Sequence, residues 1–124
     1  MGKRVHIDVL DGALGIVRAN ATKMVACSGE PGSFSAADGS LKLAEAAMAT
    51  GDFTIGSGAG SGRRVTVAQK SGVAVSATGT ANHVALLDVA NSRLLYVTTC
   101  TPQSLTQGQE ITFGSWTVDI NDPV

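Results

Sequence analysis

Apolar and polar positions recur along this chain with two different periods, and the change of period divides it. From Asp8 to about Asn20 the apolar residues Val9, Leu10, Ala13, Leu14, Ile16 and Val17 stand three and four apart, the spacing of a helical face. That pattern predicts one amphipathic helix over 8–20, with Asp8 as N-cap and Asn20, tolerant of left-handed backbone, at its end. Gly12 and Gly15 inside it each cost about 1 kcal/mol relative to alanine. A short apolar run, 22–27, then reads as a strand stopped by the turn-forming Ser28-Gly29-Glu30-Pro31-Gly32. The stretch Leu41 to Met48 has high helix propensity, but it is short, and an alternating strand through Leu41, Leu43 and Glu45 competes with it. Both readings stay open.

From Asp52 onward the period is two. Phe53-Thr54-Ile55, the run 64–69 and the run 73–77 read as strands bounded by Gly or Ser, with Gln69-Lys70-Ser71-Gly72 as a hairpin-length connection between the last two. A second strand pair, 81–89 and 93–100, is joined near Ala90-Asn91-Ser92. It is apolar on both faces at Val84-Ala85-Leu86-Leu87 and Leu94-Leu95-Tyr96-Val97, so it is expected to be central. Thr101-Pro102 is expected to break the sheet. Ile111-Thr112-Phe113 continues into 116–120 with a slip of apolar phase across Gly114-Ser115, which one extra residue in a β-bulge would produce. Short strands with Gly-rich turns predict a mainly β (α+β) class. The architecture is an antiparallel β-sandwich or partial barrel, with the single N-terminal helix covering an open face or edge.

The 124 residues have room for one domain, read as 1–124. Apolar residues make up 44% against 15% charged, which excludes the disordered class. The only aromatics are Phe34, Phe53, Tyr96, Phe113 and Trp116. The core must therefore be filled by Val, Ile, Leu and Ala, and self-association is a natural source of extra stability. A net charge of −1 and scattered Lys3, Arg4, Arg18, Lys23, Arg63 and Arg64 give no electrostatic footprint for nucleic acid or an anionic membrane. The N-terminal residues carry no signal-peptide pattern, and no run of about eighteen apolar residues could span a bilayer. The expectation is synthesis as a soluble cytoplasmic chain.

Candidate chemistry is sparse. The segment Gly56-Ser57-Gly58-Ala59-Gly60-Ser61-Gly62 has the glycines of a phosphate loop, but Arg63-Arg64 lead into a strand where such a loop opens a helix. It reads as a flexible contact loop, with Gly56, Gly58, Gly60, Gly62, Arg63 and Arg64 as its candidate contacts. His6 and His83 have no second ligand at metal spacing. Asp119, Asn121 and Asp122 lack the glycine and distal glutamate of a calcium loop. No nucleophile elbow, triad or Cys-His pair is visible, so no catalytic residue, cofactor or metal is expected. Cys27 and Cys100 stand at expected strand ends beside turns, where exposure is expected. They are candidates for an inter-subunit disulfide, set against a role as small apolar packing residues in a reducing compartment.

The chain resembles a group of short proteins found in tailed-phage and prophage structural gene clusters. The residues that carry the resemblance are Asn20-Ala21-Thr22-Lys23-Met24 with Cys27-Ser28-Gly29-Glu30-Pro31, then 61–67 and Gly79-Thr80-Ala81-Asn82-His83-Val84-Ala85-Leu86. It continues through Ser92-Arg93-Leu94-Leu95-Tyr96-Val97-Thr98, Leu105-Thr106 and the ending 116–123. These are strand-and-turn patterns over nearly the full length. The resemblance implies a virion component and carries over no catalytic residue. Cys100 stands where that group is expected to hold threonine or a small residue, which favours a crosslinking role particular to this chain. The expected function is a non-enzymatic capsid decoration or linking protein, a homo-oligomer bound to the major capsid protein or another decoration protein. The rival is a tail-fibre, neck or collar component, including a receptor- or glycan-binding module.

Overall fold

The structure is a computed structural model in which residues 4–58 and 60–121 are described. It is mainly β, with antiparallel sheets and one long helix near the N-terminus. The chain runs through α1 (Ile7–Asn20), β1 (Lys23–Cys27), a short helix α2 (Phe34–Ala37), β2 (Lys42–Ala47) and a 3₁₀ turn (Thr50–Asp52). It continues through β3 (Phe53–Ser57), β4 (Arg63–Val67), β5 (Lys70–Ala74), β6 (Gly79–Asp88), β7 (Arg93–Leu105), β8 (Glu110–Phe113) and β9 (Trp116–Ile120).

Helix α1 forms over the predicted span but starts on a different cap. His6, not Asp8, is the N-cap, and its Nδ1 accepts from the Asp8 N–H at 3.0 Å. At the far end the Asn20 side-chain amide donates to the Ile16 carbonyl at 2.9 Å. Leu10, Leu14 and Val17 are buried, whereas Val9 is 63% and Ile16 49% exposed. At about 100° per residue the six apolar positions form two stripes: Leu10, Leu14 and Val17 on one, Val9, Ala13 and Ile16 on the other. The helix buries only the first.

The stretch left open between helix and strand is β2. It pairs with β1 through Met24↔Ala46 and Val25↔Glu45, so tertiary pairing overrides its helix propensity. The main sheet runs β2-β1-β6-β7. Met24, Ala26 and Leu86 on one face pack with Phe53, Val65, Val67, Phe113, Val118 and the helix residues Leu14 and Val17. On the other face Val25, Cys27, Ala85 and Leu87 pack with Ala37 of α2. Strands β1 and β6 are therefore apolar on both sides because both sides are covered. Only half of the expected central pair is central: β6 is interior, but β7 is the sheet edge. That position explains why Thr101-Pro102 does not break the sheet. An edge strand needs no outward N–H from proline. Between Ala81↔Gln103 and His83↔Thr99, Asn82 faces three residues of β7, Cys100 to Pro102, and this bulge absorbs the proline.

The second layer consists of β3-β4-β9 and the pair β5-β8. The expected hairpin at Gln69–Gly72 does not form, because β4 pairs with β9 and β5 with β8. The registers Val67↔Trp116 and Lys70↔Phe113 leave two residues between on each strand. No extra residue therefore sits at Gly114-Ser115, where a bulge was expected. The two strands bend together there, and the change of apolar phase is shared by both. The irregularity lies instead between Lys70 and Val73, opposite Thr112, where Gly72 takes φ 65°. A bridge Ala44↔Val75 links β2 to the residue after β5. The result is a sandwich tending to a partial barrel. Helix α1 contacts β3, β4, the 3₁₀ turn and β6, joining the two layers on one side. The opposite side, between β7 and β8–β9, stays open.

Candidate functional site

The open side is a groove of about 1010 Å³. Along one wall run β7 residues 98–101, 103 and 105, and along the other every residue from 110 to 117. Its floor includes Ala26, Ala81 and Val84. Successive side chains of a strand point to opposite faces, so an unbroken run of eight lining residues means that β8–β9 presents its backbone edge to the groove. Strand β8 pairs only with β5 and β9 only with β4, which leaves that edge unpaired. Among the described residues the lining includes Thr98, Thr99, Thr101, Thr112 and Thr117 beside the apolar Leu105, Ile111, Phe113 and Trp116, with Glu110 as its single charged residue. None of this was expected from the sequence. The available signal was the run 111–118, which has no charge and no proline, following a threonine-rich stretch at 98–101.

Two aromatics beside the groove serve the core. Trp116 stacks on Tyr96 with centroids 5.9 Å apart, and its indole N–H points to the Met24 sulfur at 3.4 Å. Phe113 is buried.

Strands β3 and β4, on either side of the expected contact loop, pair with each other. Gly56 lies inside β3, paired with Arg64, and the Gly58 N–H donates to the Gly62 carbonyl at 3.0 Å. Gly62 takes φ +70° with its Cα against the Ile120 carbonyl, where a Cβ would collide with backbone. Nothing lies near a Cβ placed on Gly60. Arg63 and Arg64 each have an ion-pair partner within the domain. Arg63 reaches Asp11 of α1 at 2.7 Å, and Arg64 makes a two-pronged bond to Asp119 at 2.8 and 3.1 Å. The Asp119 carboxyl is held below its usual range by the hydrogen bonds from Arg64, so it is spent on this cross-strand pair. Asp122, its companion in the calcium reading, lies outside the described residues.

The two cysteines have opposite environments. Cys27 is fully buried, contrary to the expected exposure, and its thiol points to the Ala37 carbonyl at 3.9 Å. Burial, with the Cys100 thiol as a smaller influence, pushes its pKa up to about 11. The register places His83 opposite Cys27, a juxtaposition the sequence did not reveal. A thiol so hard to ionise is a packing group and not an activated nucleophile. His83 Nδ1 bonds Asn82 Oδ1 at 2.7 Å. Cys100 is half-buried in the β7 bulge on the groove wall, and desolvation raises its pKa as well. Both thiols are free. With β6 between their strands, a spacing of roughly 9–10 Å exceeds the span a disulfide bridges. Cys27 is thus excluded from any bond to another subunit while the domain stays folded, which leaves Cys100.

Charge elsewhere is also internally matched. Lys23 bonds Asp38 at 2.9 Å and Glu45 at 3.0 Å, and Lys42 bonds both acids, so a four-residue ladder ties the end of α2 to β1 and β2. Its bonds to Lys23 lower Asp38, and those to Lys42 first and Lys23 next lower Glu45. Asp88, 1% exposed, accepts from Asn91 and from both Arg93 nitrogens at 2.8–3.0 Å, closing the β6–β7 turn where Ser92 takes φ 52°. Among the described residues no group of three or more His, Cys, Asp or Glu could hold a metal, and no helix is long and apolar enough to cross a membrane. No family model, curated protein or solved structure was found to match this chain.

Proposed function

We propose that this chain is a non-enzymatic structural protein of a tailed-phage particle, of the capsid decoration or linking type, which bridges subunits on the outside of the head. The observation that carries this reading is the second apolar stripe of α1. Val9, Ala13 and Ile16 face solvent on a helix that Leu14, Val17 and the Asp11–Arg63 pair hold firmly to the body. Exposed apolar patches rimmed by polar groups mark contact surfaces, and burial returns about 25 cal/mol per Å². Repeated over a lattice, a small contact of this kind stabilises a shell through many copies. The partners are the major capsid protein, another decoration protein, or neighbouring copies of this chain. Cys100, half-exposed, is the thiol available for a bond between subunits. The tail-fibre or glycan-binding alternative needs exposed aromatic platforms, whereas Trp116 and Tyr96 are half-buried and stacked on each other and Phe113 is buried.

Density-gradient fractionation of particles from cells producing the chain, with mass spectrometry of heads and tails separately, tests the reading. The expected result is the chain on heads in lattice-like copy number, lost from them in the Ile16→Asp variant. Recovery with tails, or only in the particle-free fraction, would sink it.

A further inference from the structure

The sheet edges of this protein are not treated alike. Strand β7 is blunted by Pro102 and by the three-residue bulge around it. The outer edge of β2 carries Lys42 and Glu45 and is bridged beyond Ala44 to Val75. Strand β3 lies against α1. These are the devices by which proteins prevent a sheet from adding foreign strands. The edge of β8–β9 has none of them. From Ile111 to Val118 it carries no proline and no charge, and it opens on a groove whose floor is apolar.

We infer that the free edge of β8–β9, residues 111–117, is a strand-acceptor site that takes an uncharged, extended peptide segment of a partner protein. The incoming backbone pairs with this edge, the recognition mode in which main-chain hydrogen bonds give affinity and alternate side chains give selectivity. One set of alternate side chains drops onto the main sheet at Ala26, Ala81 and Val84, and the other points outward to solvent. With about 3.3 Å per residue, the eight lining positions accommodate a segment of roughly six to eight residues. Selectivity for an uncharged segment follows from the lining. Among the described residues no basic side chain lines the groove to pair an acidic peptide, and Glu110 is the one charged residue of the lining. A buried charge without a partner is costly. The site is separate from the apolar stripe of α1 and does not rest on the virion reading.

A displayed library of random decapeptides, selected on the full chain, supplies the probe. Selected peptides are resynthesised and tested by amide hydrogen exchange and by the alkylation rate of Cys100, the accessible thiol on the groove wall. The expected binders alternate apolar and polar residues, slow exchange across 111–117 at least tenfold and slow Cys100 alkylation. They lose binding when alternate peptide nitrogens are methylated. Thr98→Trp, which fills the groove beside Val84, abolishes binding, and Ile16→Asp on the helix leaves it unchanged. The inference is overturned by binders of helical period that protect α1, or by the absence of any peptide that protects 111–117. Protection that appears on raising the protein concentration alone overturns it too, because the edge then pairs with a second copy.

Discussion

The two sides of the sandwich are built on opposite terms. On one side α1 joins the layers: Leu14 is 1% exposed, Val17 is buried, and Arg63 ties the helix to the β3–β4 hairpin through Asp11. Across the molecule, between β7 and β8–β9, the layers part around a groove lined by threonines, apolar residues and one glutamate. A closed side needs charges and large apolar groups matched within the chain. On the open side the outer edges of β8 and β9 pair with no other strand among the described residues. The helix side therefore adds to the fold's own packing, and capacity for a partner concentrates at the groove.

The largest break in this contrast comes from Leu14→Ala. Truncating a fully buried leucine removes transfer free energy and leaves a cavity, at a cost of about 2–5 kcal/mol. Chemical denaturation should show the midpoint falling by that equivalent, and an unchanged midpoint would mean that the helix does not hold the layers together. Acid comes next. Asp38 and Glu45 have folded pKa values below their ordinary 3.8 and 4.5, so their contribution is full above those values and is lost as pH falls through the lowered ones. Thermal stability should be level from pH 7 to about 5 and decline below about 4.5. Asp38→Asn should flatten that decline. Lys23, raised by the same bonds, predicts a mirror loss above its ordinary 10.5.

How far the contrast was legible depends on what each element needs. Helix α1, β3 and β9 each bury a stripe or face whose period stands in the sequence, and β1 and β6, covered on both faces, stand there as unbroken apolar runs. Stretch 42–47 did not declare itself, because its strand state depends on pairing with β1 and not on its own residues. Gln69–Gly72 has the composition of a hairpin, yet its strands pair elsewhere, and no local signal distinguishes a turn from a bend shared with β8–β9. Pro102 looked like a terminator because edge position is a property of the whole sheet. The same blindness covers the sites. Arg63 and Arg64 find partners 52 and 55 residues away, and Cys27 is buried by α2, a four-residue helix capped by Ser33 that periodicity is too coarse to detect. The groove lies between β7 and β8–β9, neighbours in the chain that pair with other strands and not with each other, so only its uncharged wall was there to be read.

The smaller predictions sharpen the comparison. Arg63→Met keeps the apolar stem and removes the bond to Asp11, whose partners are 20% and 30% exposed. A pair so placed is worth about 0.2–1 kcal/mol, less at high salt. Stability should fall by that much in low salt, and the difference from the parent should shrink in 1 M salt; a salt-independent loss would assign the effect to packing of the stem.

Smallest of all is Thr99→Ser on the groove wall. Thr99 is exposed on an edge strand, so removing its methyl should change stability by less than about 0.5 kcal/mol. Equilibrium denaturation of the free chain should barely register the change. If Thr99→Ser instead destabilised the free protein as much as Arg63→Met, the groove wall would be bearing fold stability. The division between a side that holds the domain together and a side left for a partner would then fail at its weakest point.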